Sequence, residues 1–437
     1  MINKTLNNLF KGDKVIWMVF FFLCIISIVE VYSASSTLTY KQGNYFSPII
    51  KHAMTLLMGI AVMLVVMNIR VQYFKIVTPF LLIFSIITLI WVLFAGEVNG
   101  ASRWVSLMGL KFQPSEIAKG TMVLATAQLL AHMQTPNGAD RNAFNYILIV
   151  CAFIVPLILV ENFSTAALIC AVIFMMMVIG RVPMQQLGKL LGVVMVVVAL
   201  FVGLILMAPD EKKDTQAEAA ATEIVAKPVE RNAVEKVFHR FSTWKARLLD
   251  FFNNKKVAPD EFDLDKDMQK GHSNIAIASS NFIGRGPGRS DERDFLPQAF
   301  SDFIYSIIIE ELGIAGGFFV LLLYIILLIR TGRIAGRCEK NFPAFLAMGM
   351  ALLLVTQAMF NMCVAVGLAP VTGQPLPLIS KGGTSIIVIS VAFGVMLSVS
   401  RTIANYGNKK NKVEDTPIIE GLDAVNPTEI PAKNVWR

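Results

Sequence analysis

The sequence is poor in charge: Asp, Glu, Lys and Arg make up 16% of its 437 residues, against 55% hydrophobic residues and a mean hydropathy of +0.61. That excludes a soluble globular chain folded round one core and points to a polytopic membrane protein. Cysteine is scarce too. Cys24, Cys151, Cys170, Cys338 and Cys363 show no CxxC or CxxxH spacing, and all but Cys338 fall in or beside apolar runs, so neither a disulfide framework nor a metal site is indicated. No strand precedes Gly284-Arg-Gly-Pro-Gly288 and no Lys-Ser or Lys-Thr follows it. This excludes a dinucleotide loop and leaves a tight backbone turn that could approach a bulky or anionic ligand. No cleavable signal is expected, because the apolar run from Val15 to Ala34 is longer than an h-region and reads as a retained first span. The net charge of +8 could suggest nucleic acid. The Lys and Arg residues, however, lie in loops and tails between apolar runs, the positive-inside bias of a membrane protein, so no nucleic-acid partner is expected.

What is abundant is apolar runs. They recur at about 15–34, 49–69, 74–95, 115–132, 145–160, 164–181, 187–208, 303–330, 342–367 and 383–402, each near the roughly 20 residues that span a bilayer core. The expected fold is all-α, with about ten transmembrane helices. Basic residues at Arg70, Lys75, Arg141, Arg181, Arg330, Arg333, Arg337 and Arg401 place both termini in the cytoplasm. The organisation is then a tail (1–14), seven helices (15–208), a large outer loop (209–302), three helices (303–402) and a second tail (403–437). Within the large loop, the amphipathic stretch 237–252 suits an interfacial helix or one packed on the protein's own loops.

The stretch Asp294-Phe-Leu-Pro-Gln-Ala-Phe-Ser-Asp302 runs directly into the eighth apolar helix, which carries Glu310 and Glu311. Those two lie about 12–13 Å further along the helix than Asp302. Acids at membrane depth face a partner, a cavity or a substrate. From spacing alone, Asp302 is a helix cap with Ser301 or a general base, and capping is the plainer reading.

Cations and aromatics gather at the same outer ends. Arg103, Trp104 and Lys111 sit in the second outer loop, where two cations and an indole suit an anionic lipid head group. Pro114-Ser115-Glu116 opens a helix with Ser115 as a possible cap, and Glu116 and Lys119 are placed to pair on one face. Lys51 and His52 begin the second helix, where snorkelling competes with a ligand role. Between the fifth and sixth helices, Glu161-Asn-Phe-Ser-Thr165 reads as a plain turn. The last outer loop, Gly367–Ser385, has three prolines and four glycines in nineteen residues yet stays apolar. It is expected to re-enter the membrane region with its backbone buried in protein, bringing Lys381 to a cavity. Cations opposite one carboxylate favour a pyrophosphate-bearing lipid.

These motifs resemble the SEDS family, that of FtsW and RodA. The resemblance rests on Gly100-Ala-x-Arg103-Trp104, Gln113-Pro-Ser-Glu116-x-Ala-Lys119, Phe295-Leu-Pro with Asp302-Phe-Ile, Glu310-Glu-Leu-Gly313 and Pro377-Leu-Ile-Ser-x-Gly-Gly-Thr-Ser385, in order across nearly the whole membrane portion. It implies an inverting peptidoglycan glycosyltransferase of the inner membrane that polymerises lipid II on the outer face. It also implies a class B penicillin-binding protein as partner, together with other divisome proteins at the septum. It makes Asp302 the catalytic residue, and with it the outer Lys51, Arg103, Trp104, Lys111, Glu116, Lys119, Lys381 and Ser385 read as substrate-binding. Glu310 and Glu311 are left as structural or gating groups, paired with neighbouring helices. The chain departs from the family pattern at Gln298, Phe300, Ser301, Thr372 and Lys381. The leading Glu161 leans towards FtsW and a septal role. A divalent cation, magnesium or manganese, is compatible although no ligand cluster shows. The competing expectations are a lipid II flippase or transporter and a scaffold for division proteins.

Overall fold

The computed structural model describes residues 11–34, 47–94, 104–107, 110–207, 268–296 and 299–414. The stretch 237–252, with its interfacial-helix reading, and Arg103 lie outside these. Among the described residues there are eleven α-helices: α1 Lys14–Ala34, α2 Ser47–Asn68, α3 Val71–Phe94, α4 Pro114–His132, α5 Arg141–Glu161, α6 Phe163–Ile179, α7 Met184–Met207, α8 Met268–Ala278, α9 Ile304–Ala335, α10 Asn341–Ala365 and α11 Gly383–Glu414. Two short hairpins interrupt them: β1 Val105–Leu107 with β2 Leu110–Phe112, and β3 Gln134–Thr135 with β4 Gly138–Ala139. Seven of the helices, α1, α2, α3, α5, α9, α10 and α11, are long and apolar enough to cross a membrane. The chain is a polytopic membrane protein of the all-α class, helical among the described residues apart from these hairpins and the connecting turns.

Apolar residues surround most of these helices because one side meets protein and the other meets lipid. α3 shows the division: Val71, Thr78, Ser85 and Leu89 face inward, while Phe80, Ile83, Ile87 and Phe94 point out. α4 and α10 form the middle. α4 packs against α3, α5, α6 and α10, and α10 packs against α4, α6, α9 and α11. α9 runs beside α1, and α11 beside α2.

Small residues let these helices approach, as they do where no hydrophobic force separates helix from lipid. A Cβ on Gly394 of α11 would stand 2.9 Å from the Met63 carbonyl of α2, and one on Gly59 would stand 2.5 Å from Ser390 Oγ. Gly349 of α10 likewise admits Met176 and Val123. At the other end of the bundle, Asp13 caps α1 through the Val15 and Ile16 amides and pairs with Arg330 of α9 at 2.6 Å.

Candidate active site

The site begins where α9 begins. Residues 299–303 form turns, the helix starts at Ile304, and its N-cap position is Phe303 with no side-chain cap bond. Asp302 thus does not occupy the N-cap position that the capping reading gave it, which lies one residue further on, and Ser301 Oγ donates to Asp302 Oδ1 at 2.9 Å. The reason lies in the backbone. Three successive carbonyls are taken by groups from elsewhere: Phe300 O by the Lys381 amide (2.9 Å), Ser301 O by Ser380 Oγ (2.6 Å) and Asp302 O by Asn361 Nδ2 (2.8 Å). Residues 300–302 are held outside helical geometry, with the Asp302 side chain half-buried.

The loop that supplies Ser380 and the Lys381 amide also brings one cation, Lys381. Between α10 and α11 the chain runs irregularly, with Thr372, Gln374 and 376–380 buried, which agrees with the expected re-entrant loop. Lys381 Nζ lies 4.9 Å from the centre of the Phe300 ring, a cation–π contact two residues from Asp302. Burial, and then the Lys51 charge, hold the Lys381 amine below the usual lysine range. Lys51, on α2, is exposed. His52 departs from the snorkelling reading: it is buried, with Nε2 2.8 Å from Ser27 Oγ, because Ser27 in turn donates to the Ile379 carbonyl and ties the loop to α1 and α2. Trp104 is 40% exposed at the start of the first hairpin. The Lys111 backbone pairs with Ser106 in that hairpin, which packs against α11, but its side chain is outside the described set.

Glu116, Lys119 and Ser385 also come together, but in the interior. Lys119 Nζ is 2.7 Å from Glu116 Oε1 and donates to Gln357 Oε1 at 2.7 Å, while Ser385 donates to Glu116 at 3.2 Å. All three are buried. Ser115 is not a cap: the N-cap position is Gln113, with Pro114 behind it, and Ser115 donates to Glu161 at 3.0 Å. The plain-turn reading of Glu161–Thr165 gives way to a helix junction: Glu161 ends α5, Phe163 begins α6, and Asn162 alone lies between them, capping α6 through the Ser164 and Thr165 amides.

Three residues that the sequence reasoning missed brace the loop. Gln357 Nε2 donates to Pro375 O (3.0 Å), Asn361 Nδ2 to Gln374 O (2.7 Å) and Gln374 Nε2 to Thr165 Oγ1 (2.8 Å). The available signal was amides four residues apart in an apolar helix, which share one face and cannot stay unpaired there.

Glu310 and Glu311 are fully buried, but their partners come chiefly from the loop before α9 rather than from neighbouring helices. Glu310 accepts from Ser290 Oγ (2.5 Å), the Asp291 amide (3.0 Å) and Arg285 (3.2 Å). Glu311 accepts from the Gly288 amide (2.8 Å), the Ser290 amide (3.2 Å) and Ser33 Oγ of α1. The anion that the Gly284-Arg-Gly-Pro-Gly288 turn approaches is thus the chain's own pair of carboxylates. All three glycines have positive φ, and α9 itself breaks at Gly313 (φ 76°). There the loop supplies the missing backbone pairing: Arg285 and Gly286 amides to the Glu310 and Glu311 carbonyls, and Ile314 and Ala315 amides to Asn281 and Phe282.

Comparison with known proteins gives the family and the fold. The model of a cell cycle protein family, that of FtsW, RodA and SpoVE, matches residues 13–405. A "Probable peptidoglycan glycosyltransferase FtsW" of Aromatoleum aromaticum is 30% identical over 86% of this chain and 85% of its own. The "Peptidoglycan glycosyltransferase MrdB" of Escherichia coli is 27% identical over 89% and 93%. Among solved structures, a chain of a peptidoglycan synthase complex that coordinates polymerization and crosslinking superimposes with TM-score 0.62 at 24% identity, covering 90% of this chain and 98% of that one. The rod shape determining protein RodA of Thermus thermophilus gives 0.58 at 21%, over 90% and 98%. At those identities the structures speak for the fold alone.

Proposed function

This chain belongs to the family of FtsW, RodA and SpoVE cell cycle proteins, and on that premise we infer that it is a peptidoglycan glycosyltransferase of cell division. Its substrate is lipid II, polymerised at the outer face of the cytoplasmic membrane, with a class B penicillin-binding protein and other division proteins as partners at the septum. The observation that carries the reading is Asp302, held before the first turn of α9 by three backbone clamps, with Lys381 over the ring of Phe300 two residues before it.

Asp302 accepts the proton of the acceptor sugar's 4-hydroxyl as that oxygen attacks the donor's anomeric carbon from the face opposite the leaving group. The bond from that carbon to the pyrophosphate breaks, its electron pair leaves with undecaprenyl pyrophosphate, and the anomeric centre inverts. Lys51, Lys381, Arg103 and Lys111 stabilise the charge that grows on the pyrophosphate, where fixed cations in a low-dielectric site are most effective. Lys119 and Glu116, paired to each other, act from one layer behind. A magnesium or manganese ion, if bound, would be held through Asp302 and would supply further neutralisation of the pyrophosphate charge. The described residues fit it only through a single carboxylate, Asp302, since no three His, Cys, Asp or Glu side chains among them converge on a metal position.

The test is glycan-strand formation from lipid II in detergent, with the penicillin-binding partner present. Polymer is expected from wild type and not from Asp302→Asn. Equal polymer from both removes Asp302 as the base, and translocation of lipid II in vesicles without polymer would favour a flippase.

A further inference from the structure

One polar group on α1 has no place in the networks described so far. Glu30 is fully buried, and neither of its carboxylate oxygens has a hydrogen-bond partner among the described residues. A bare carboxylate in an apolar interior is among the costliest arrangements a fold can keep. A second orphan lies close by. Arg293 Nε, in the short 3-10 turn Glu292–Asp294, is buried without a hydrogen bond, its nearest acid being Asp294 at 3.8 Å.

The two orphans flank one serine. Ser33 follows Glu30 by three residues, which puts both on one face of α1. Its hydroxyl donates to Glu311 and accepts from Arg293 Nη1 at 3.1 Å. An acceptor without a donor and a donor without an acceptor, of opposite charge, thus face one hydroxyl. The neighbouring cation Arg285 is already paired with Glu310 and Asp291, and His272 lies 2.6 Å from Glu292.

We propose that Glu30 pairs with Arg293 in a second arrangement of the outer segment 288–296, and is thereby a positioning residue for Asp302. In the arrangement described above, the Arg293 guanidinium holds Gly288 O at 2.8 Å and Ser33. In the second, it turns to Glu30 and releases Gly288. The turn at 292–294 then moves on α1. The link to the site is direct packing: Ala34, at the end of α1, forms one apolar cluster with Leu296, Ala299, Phe303 and Ile307, the residues that bracket Asp302.

The proposal rests on the glycosyltransferase reading for its activity readout only. Full-length protein in detergent is followed by hydrogen exchange over 286–296, and, with its partner and lipid II, by strand formation. Glu30→Gln leaves a single arrangement, so exchange over 286–296 slows and kcat falls about tenfold with KM unchanged. Glu30→Asp keeps most of the wild-type rate. Glu30→Gln combined with Arg293→Gln is no slower than Arg293→Gln alone, because both remove the same pair. Wild-type exchange and kcat in Glu30→Gln, or losses that multiply in the double variant, overturn the proposal and leave Glu30 as a neutral filler of the core. If wild type itself makes no polymer, the glycosyltransferase reading fails, while the exchange result still decides for or against the Glu30–Arg293 pair.

Discussion

Asn361 donates one amide to two backbone carbonyls, that of Asp302 at 2.8 Å and that of Gln374 at 2.7 Å. It fastens the start of α9 to the last outer loop, so the proposed base and the loop that carries Lys381 are placed by the same side chain. Asn361→Ala frees both. The buried Asn361 sits in a helix that otherwise packs well, so the protein should still fold. Misplacing a base by about an ångström costs on the order of 100-fold in rate, and kcat for strand formation is expected to fall by that order. An Asn361→Ala enzyme with wild-type kcat would show that Asp302 is held by something else.

Lys381 makes a prediction about pH. Burial, with Lys51 second, disfavours its charged form, so its proton leaves at lower pH than from a free lysine. If Lys381 holds the pyrophosphate as proposed, loss of that cation weakens binding, and kcat/KM for lipid II is expected to fall as pH rises through the lowered value. Lys51→Met removes one of the two causes and moves the fall to higher pH. The sign for stability is opposite. Between the folded and the unfolded values the unfolded chain holds more protons, so the contribution of Lys381 to stability rises with pH there. pH–rate profiles of wild type, Lys51→Met and Lys381→Gln decide the matter, and the last should lack that limb altogether.

Glu116 and Lys119 test whether a buried pair serves the fold. Lys119→Met leaves the Glu116 carboxylate in the interior with Ser385 as a remaining hydrogen-bond partner. Breaking a buried pair from one side costs about 3–5 kcal/mol, so a large drop in thermal stability is expected. Lys119→Met with Glu116→Gln should recover much of it. A single variant as stable as wild type but unable to bind lipid II would instead put Lys119 directly on the substrate.

How much of this was legible in the sequence differs by element. Apolar runs announce helices because a chain in lipid has no other way to satisfy its backbone, and ten of the eleven helices lie on such runs. α8 was missed, since Met268–Ala278 is polar and contains Gly271. It is held by packing, with Ser273 donating to the Ala365 carbonyl and contacting Ser306. Spacing alone makes Asp302 a cap, because local sequence does not carry the distant Ser380, Lys381 and Asn361 that set its backbone. Glu310 and Glu311 were visible as costly acids. That a glycine turn some twenty residues upstream wraps them depends on tertiary contacts that spacing does not reveal.

That wrapping gives a prediction from two glycines in one turn. A Cβ on Gly284 would lie 2.3 Å from the Glu311 carbonyl oxygen, so alanine there must push the loop off α9 and expose the break at Gly313. Gly288 has similar positive φ, yet nothing stands within 4 Å of its Cβ position. Gly288→Ala therefore carries only the left-handed backbone strain, about 1–2 kcal/mol. Gly284→Ala adds a clash with backbone, which cannot swing aside as a side chain can. It also strips Glu310 and Glu311 of the Gly288, Ser290 and Asp291 donors, since the whole turn must shift. Thermal unfolding in detergent should show a modest loss for Gly288→Ala and a much larger one for Gly284→Ala. The larger loss should fall to near the modest one when Glu310→Gln and Glu311→Gln are added, because the buried charges are then gone. Equal losses for the two alanines would mean that the loop does not close over the broken helix.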